Sequence, residues 1–145
     1  MAELTELEQV LPQEIEKRSF EIITQELGDR VLDEKQAPVI KRVIHTTADF
    51  DYADNLVFSP NVMELAWQAI REGTPIITDT NMGKSGINKK RLANYGSEVY
   101  CFMADEDVAE EARKHGTTRA CASMDKAARL GLNGIFAIGN APTAL

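Results

Sequence analysis

Three short apolar runs constrain this chain more than any other feature: PIITD at residues 75–79, EVYCFM at 98–103 and GIFAIG at 134–139. Each is brief for a helix and rich in β-branched or aromatic residues, so each reads as a buried strand. Segments whose apolar residues recur at helical spacing fall before and between them. Parallel strands need a crossover, and a helix is the usual one. The alternation therefore predicts an α/β fold, three-layer α/β/α, with a mostly parallel sheet.

Two amphipathic helices are expected ahead of the first strand. In PQEIEKRSFEIITQEL (12–27), Ile15, Ser19, Phe20, Ile22, Ile23 and Leu27 share one face, with Lys17, Arg18, Glu21 and Gln25 opposite and Gly28 as the stop. Ser19 stands inside the apolar arc. Its plain reading is a hydroxyl bonded to a carbonyl one turn back. The second helix covers 33–48, opened either by a capping box of Asp33 and Gln36 or by Pro38 at a first helical position. Its buried stripe is Val39, Ile40, Val43, Ile44 and Thr47, and Arg42, His45 and Asp49 share the opposite, polar face. His45 is accordingly either a surface imidazole or part of a site that faces a cavity.

Farther on, DFDYAD reads as a loop, with Ser59 as N-cap and Pro60 as first residue of the next helix, ended by Gly73. A helix is expected at 106–114, and Thr117 or Thr118 caps another in TRACASMDKAARLG. Asn140 and Pro142 announce a cap and first turn just before Leu145. A domain seldom stops there, so the sequence is expected to be the front part of a longer protein.

At 145 residues the chain suits a single domain, 1–145, with a real core. Its net charge of −7 argues against broad binding of nucleic acid. The basic cluster at 84–91 (KSGINKKR) is either a solvated patch or a local receptor for a small anion. No apolar run reaches membrane-spanning length, and MAELTELEQV has neither block of a signal peptide, so a cytoplasmic location is expected. Cys101 and Cys121 sit in apolar company without metal-ligand spacing, as free thiols in a reducing compartment would.

Most motif candidates fail on chemistry. In DFDYAD, Ala53 takes a calcium-ligand position and Pro60 stands where the bidentate glutamate belongs. Gly83-Lys84-Ser85 follows a strand as a P-loop would, but the first glycine of that motif would be residue 78, a threonine. A nucleotide binder remains a third-ranked alternative. His45 and His115 lack zinc companions, and no GxSxG nucleophile elbow occurs. His45 is left as the one proton-transfer candidate beside a fixed cation, Arg42.

Several segments taken together resemble the precorrin-8X methylmutase family: RSFEII (18–23), RVIHTTAD (42–49), LVFSP (56–60), GTPIITDTNMGKSGINKKRL (73–92), TTRACASMD (117–125) and AIGNAPTAL (137–145). The resemblance implies an isomerase of cobalamin biosynthesis that moves a methyl group from ring carbon 11 to ring carbon 12 of precorrin-8X or cobalt-precorrin-8. The product is hydrogenobyrinic acid, or cobyrinic acid when cobalt is present. It further implies His45 as general acid/base, Ser19 and Arg42 as substrate contacts, and a homodimer. No cofactor of the protein's own is expected, and any cobalt arrives with the substrate.

The substrate implied carries many carboxylates, which an acidic protein must meet with local donors. Arg42, Arg119, the 84–91 cluster and the helix start after Asn140 are the candidates. Arg119 is equally well a capping-region surface arginine. Family members continue past AIGNAPTAL, so the C-terminal part of the family fold is expected to be missing here. An unfinished sheet would leave an exposed edge. A corrinoid-binding remnant without turnover is the second alternative.

Overall fold

The computed structural model describes residues 11–12 and 14–145. They fall into two compact units, one ending at Met63 and the other Glu64–Leu145. Each is described by itself.

The first unit holds α1 (Ile15–Leu27), α2 (Ala37–Thr47) and the short α3 (Tyr52–Asn55). Ile23 and Leu27 of α1 are four apart, as are Ile40 and Ile44 of α2, so each pair lies on one face of its helix. The four form the buried core, with Phe20, Leu32, Phe50, Tyr52 and Phe58 packed around them. Full burial of side chains of this size contributes about 1.5–3 kcal/mol each, and that contact holds α1 against α2.

Of the two start signals proposed for α2, Pro38 opens the helix, and Asp33 closes a separate turn ahead of it. The Asp33 carboxylate accepts from the Lys35 and Gln36 amides at 2.9 and 3.1 Å, closing a turn. The helix then opens at Ala37 with Pro38 in its first turn. Its far end is Ala48 in the left-handed region, the amide donating to the Ile44 carbonyl. Thr47, expected in the buried stripe, is exposed, and its hydroxyl donates back to the Val43 carbonyl at 2.8 Å. For α1, the expected start overlaps residue 13, outside the described residues. DFDYAD is not wholly loop, because α3 forms within it once the Asp49 carboxylate accepts from the Asp51 amide.

The helix α4 (Val62–Arg71) starts two residues later than expected. Asn61 adopts φ 57°, the left-handed region that asparagine tolerates, and this keeps Ser59 and Pro60 out of the helix.

In the second unit, β1 (Ile76–Thr78), β2 (Val99–Tyr100) and β3 (Ile135–Ala137) form a parallel sheet in the order β2-β1-β3. All three expected strands are present, each shorter than its apolar run. At β2, the Thr78 hydroxyl faces the Tyr100 carbonyl at 3.3 Å, where the backbone ladder with β1 stops. Helices α5 (Asn81–Gly86) and α6 (Lys89–Ala93) link β1 to β2, while α7 (Glu106–His115) and α8 (Arg119–Arg129) link β2 to β3. A 3₁₀ turn follows at Pro142–Ala144.

Ile76, Val99 and Ile135 are register partners and pack with Ile70 of α4 and Leu92 of α6. Tyr100 points to the other face and stacks on Phe102, which joins the α7–α8 cluster of Val108, Ala112 and Ala122. Helices thus cover both faces of the sheet, the three-layer arrangement expected. The centre strand is buried throughout, whereas edge strand β3 leaves Phe136 45% exposed.

Gly73 ends α4 as expected, and its geometry yields a prediction. Its amide donates to Ile70 O and that of Thr74 to Ala69 O, the paired bonds of a left-handed helix stop. Its φ is 76°, and an added Cβ would come within 2.9 Å of the Tyr95 carbonyl. Gly73→Ala is expected to destabilise the protein by about 1–3 kcal/mol, from a strained backbone and that close approach. Urea unfolding followed by the fluorescence of Trp67, the chain's single tryptophan, checks it.

Candidate active site

The first unit brings together three of the four site residues expected from the sequence. Ser19 sits in the middle of α1 and His45 near the end of α2, both half-buried. Ser19 Oγ lies 2.7 Å from His45 Nδ1. The hydroxyl therefore does not turn back to its own helix, the plain reading of its placement, but reaches across to α2. A hydroxyl can both donate and accept, so this bond persists whether Nδ1 carries a proton or not. Nε2 makes no hydrogen bond among the described residues.

An open cleft of about 520 Å³ runs beside the pair, lined by Ser19, His45, Ile15, Ile22, Ala48 and Phe50 among others. This explains why Ile15 and Ile22, on the apolar face of α1, stay 52% and 41% exposed. They are the wall of the cleft rather than part of the core. Arg18, Ile23, Glu26 and Ile44 complete the lining.

Arg42 lies one turn before His45, and Phe20 of α1 stands beside both. Its guanidinium carbon is 4.8 Å above the Phe20 ring, whose centroid is 5.5 Å from that of His45. Arg42 Nη2 donates to Glu16 Oε1 at 2.6 Å. The bond holds the Glu16 carboxyl below, and the Arg42 guanidinium above, their ordinary pKa values. The face of α2 read as opposite the core is therefore turned toward α1. Of the three residues on that face only His45 is half-buried; Arg42 is exposed, as is Asp49 beyond the helix end.

Arg119 belongs to the second unit, exposed at the first position of α8. The preceding Thr118 is the cap, its side chain accepting from the Cys121 amide at 3.2 Å and meeting the Thr143 hydroxyl at 2.8 Å. The basic cluster lies on α5 and α6, where Lys89 Nζ donates to the Lys84 carbonyl. Gly83 and Ser85 are inside α5, and Thr80 Oγ1 accepts from the Gly83 amide at 3.2 Å. A P-loop would instead hold such an amide free for phosphate, ahead of its helix.

One expected donor is already engaged. The amides of Gly139, Asn140 and Ala141 all donate to Asp79 Oδ2, at 3.1, 2.7 and 2.7 Å. Asn140 is not a helix cap, and this chain segment cannot also offer those amides to a substrate carboxylate. Burial alone would raise the Asp79 carboxyl pKa, but the amide bonds outweigh it and hold the group below the ordinary value. Asp79 is 1% exposed at the C-terminal end of β1. There the order β2-β1-β3 takes the chain to opposite sides of β1 in turn, a switch point of the kind where open α/β sheets bind ligands. Sequence reasoning passed over Asp79, Glu16 and Phe20. The available signal for Asp79 was a carboxylate placed directly after the run PIIT, read as a buried strand.

Fold and geometry define an α/β protein that carries a serine-oriented histidine beside an apolar cleft. The comparisons with known proteins agree in one direction: the family described as precorrin-8X methylmutase matches residues 14–145. The chain is 46% identical over 136 residues to the cobalt-precorrin-8 methylmutase of Priestia megaterium, covering 94% of this chain and 60% of that protein. For the namesake of Salmonella typhimurium the identity is 45% over 140 residues, with 92% and 67% covered. The crystal structure of precorrin-8X methyl mutase from Thermus thermophilus superposes with a TM-score of 0.80 at 39% identity, covering 91% of this chain and 64% of that one. The chain belongs to the precorrin-8X methylmutase family. It spans about 60% of the length of the Priestia megaterium protein and of a further relative, the cobalt-precorrin-8 methylmutase of Leptospira interrogans.

Proposed function

We propose that this chain acts on a corrin precursor, precorrin-8X or cobalt-precorrin-8, as an isomerase of cobalamin biosynthesis that shifts a methyl group between adjacent ring carbons, with His45 as general acid/base. The observation that carries the reading is the 2.7 Å bond from Ser19 to His45 Nδ1 at the edge of the apolar cleft. An orienting partner on one ring nitrogen leaves the other for proton exchange with a bound ligand.

The chemistry asked of the protein is modest. A methyl shift on a conjugated macrocycle needs the π-system rearranged, and protonation of the ring lowers that barrier. Ile15 and Ile22 offer apolar surface to the macrocycle, while Arg42, beside Phe20 and His45, answers a rim carboxylate. No cofactor of the protein's own enters this reading, and cobalt, where present, is part of the substrate. Assembly as a homodimer and a cytoplasmic location belong to the same proposal. Among the described residues no helix is long and apolar enough to cross a membrane.

Incubation of the chain with precorrin-8X, followed by absorption spectroscopy, tests the proposal. Conversion to the spectrum of the product supports it. A spectral change on adding product, without conversion of precursor, would assign a corrinoid-holding role instead. Absence of both would remove the corrin reading altogether. Arg42→Ala is expected to weaken product binding by about tenfold, the cost of one charge-assisted hydrogen bond, in the same spectral titration.

A further inference from the structure

Arg42 is engaged by two groups of its own chain. Glu16 holds its Nη2 at 2.6 Å, and the Phe20 ring lies 4.8 Å beneath its guanidinium carbon. The Glu16 carboxylate therefore takes the position on the guanidinium fork that an anionic ligand would need. Water and salt screen an exposed ion pair, and this one is exposed. Its two side chains are 52% and 57% exposed, so it holds weakly and can be exchanged. The aromatic platform does not depend on Glu16. Cation–π contact with Phe20, whose ring also lies against His45, keeps the guanidinium in place when the carboxylate leaves.

We propose that Glu16 is an internal surrogate for a ligand carboxylate: it holds Arg42 over Phe20, and an incoming rim carboxylate of the substrate replaces it on the same guanidinium. The inference rests on the corrin reading above, since it requires a ligand with carboxylates at its edge. Its consequence has a sign that an ordinary bracing role does not share. A brace, when neutralised, loosens Arg42 and weakens binding. A competitor, when neutralised, gives Arg42 to the ligand and strengthens it.

Spectral titration of the full chain with hydrogenobyrinic acid separates these cases, comparing wild type, Glu16→Gln, Arg42→Ala and the double variant. Glu16→Gln is expected to bind about two- to fivefold more tightly, the range set by an exposed ion pair. The gain is expected to vanish in the Arg42→Ala background, because the competition needs the arginine. Equal or weaker binding by Glu16→Gln overturns the surrogate role and, with wild type still binding, leaves the corrin reading in place. A gain that persists without Arg42 also overturns it, since loss of a negative charge anywhere near a polyanion would then suffice. Failure of wild type to bind at all overturns both.

Discussion

His45→Ala is expected to lower conversion of the corrin precursor by about 10²–10⁴-fold, the usual contribution of a positioned acid–base group, while product binding survives. The split follows from where the imidazole sits. It is half-buried at the cleft edge, so its removal deletes a proton-transfer group without opening the core, which is built from Ile23, Leu27, Ile40 and Ile44. The cleft wall of Ile15 and Ile22 and the Arg42 guanidinium remain to hold ligand. Ser19→Ala is the companion variant. It removes the 2.7 Å bond to Nδ1 and with it the ring's fixed orientation. A loss of about tenfold is expected there, in keeping with one hydrogen bond of roughly 1–1.5 kcal/mol. Single-turnover absorption kinetics measures both variants. Full conversion by His45→Ala would remove the histidine from the chemistry, and Arg42 would then be the next group to examine.

What the sequence made legible is what is decided within one helix or one strand. The buried run PIITD was readable because β1 lies between two neighbours and buries Ile76, Ile77 and Thr78 alike. The helical stripes were readable because a 3.6-residue period places Ile40 and Ile44 together. Ser19 and His45 each stood out on a single helix. Their bond, between residues 26 apart in the chain, depends on how α1 docks against α2. The same docking gives Arg42 its partner Glu16, also 26 residues away, which no local pattern announces. The start of α4 was misplaced for a different reason. Ser59 and Pro60 are genuine start signals, but a left-handed Asn61 overrides them. Asn140 was misread because its amide is claimed by a carboxylate 61 residues earlier.

That distant claim makes the second large expected effect. Asp79→Ala should destabilise the second unit by about 3–5 kcal/mol, since three amides lose their common buried carboxylate acceptor and hydrogen bonds to a charged group contribute about 1.5–3 kcal/mol each. Asp79→Asn retains an acceptor oxygen but not the charge, and charge-assisted bonds are roughly twice as strong as neutral ones, so a smaller loss is expected. Acid provides the sharper test. The Asp79 carboxyl pKa is lower in the folded protein than its ordinary value. The unfolded chain therefore binds this proton first, at about pH 3.9. The stabilisation is fully present above that value and is lost as pH falls through the lower folded pKa. Wild type should thus lose stability from about pH 4 downward, and Asp79→Asn should lose less over the same interval. Urea midpoints across that range, read from Trp67 within the second unit, measure the difference. Equal acid slopes in the two proteins would mean that the three amides draw no stability from the negative charge. The loop at residues 139–141 would then be held by shape and by the Thr118–Thr143 contact alone.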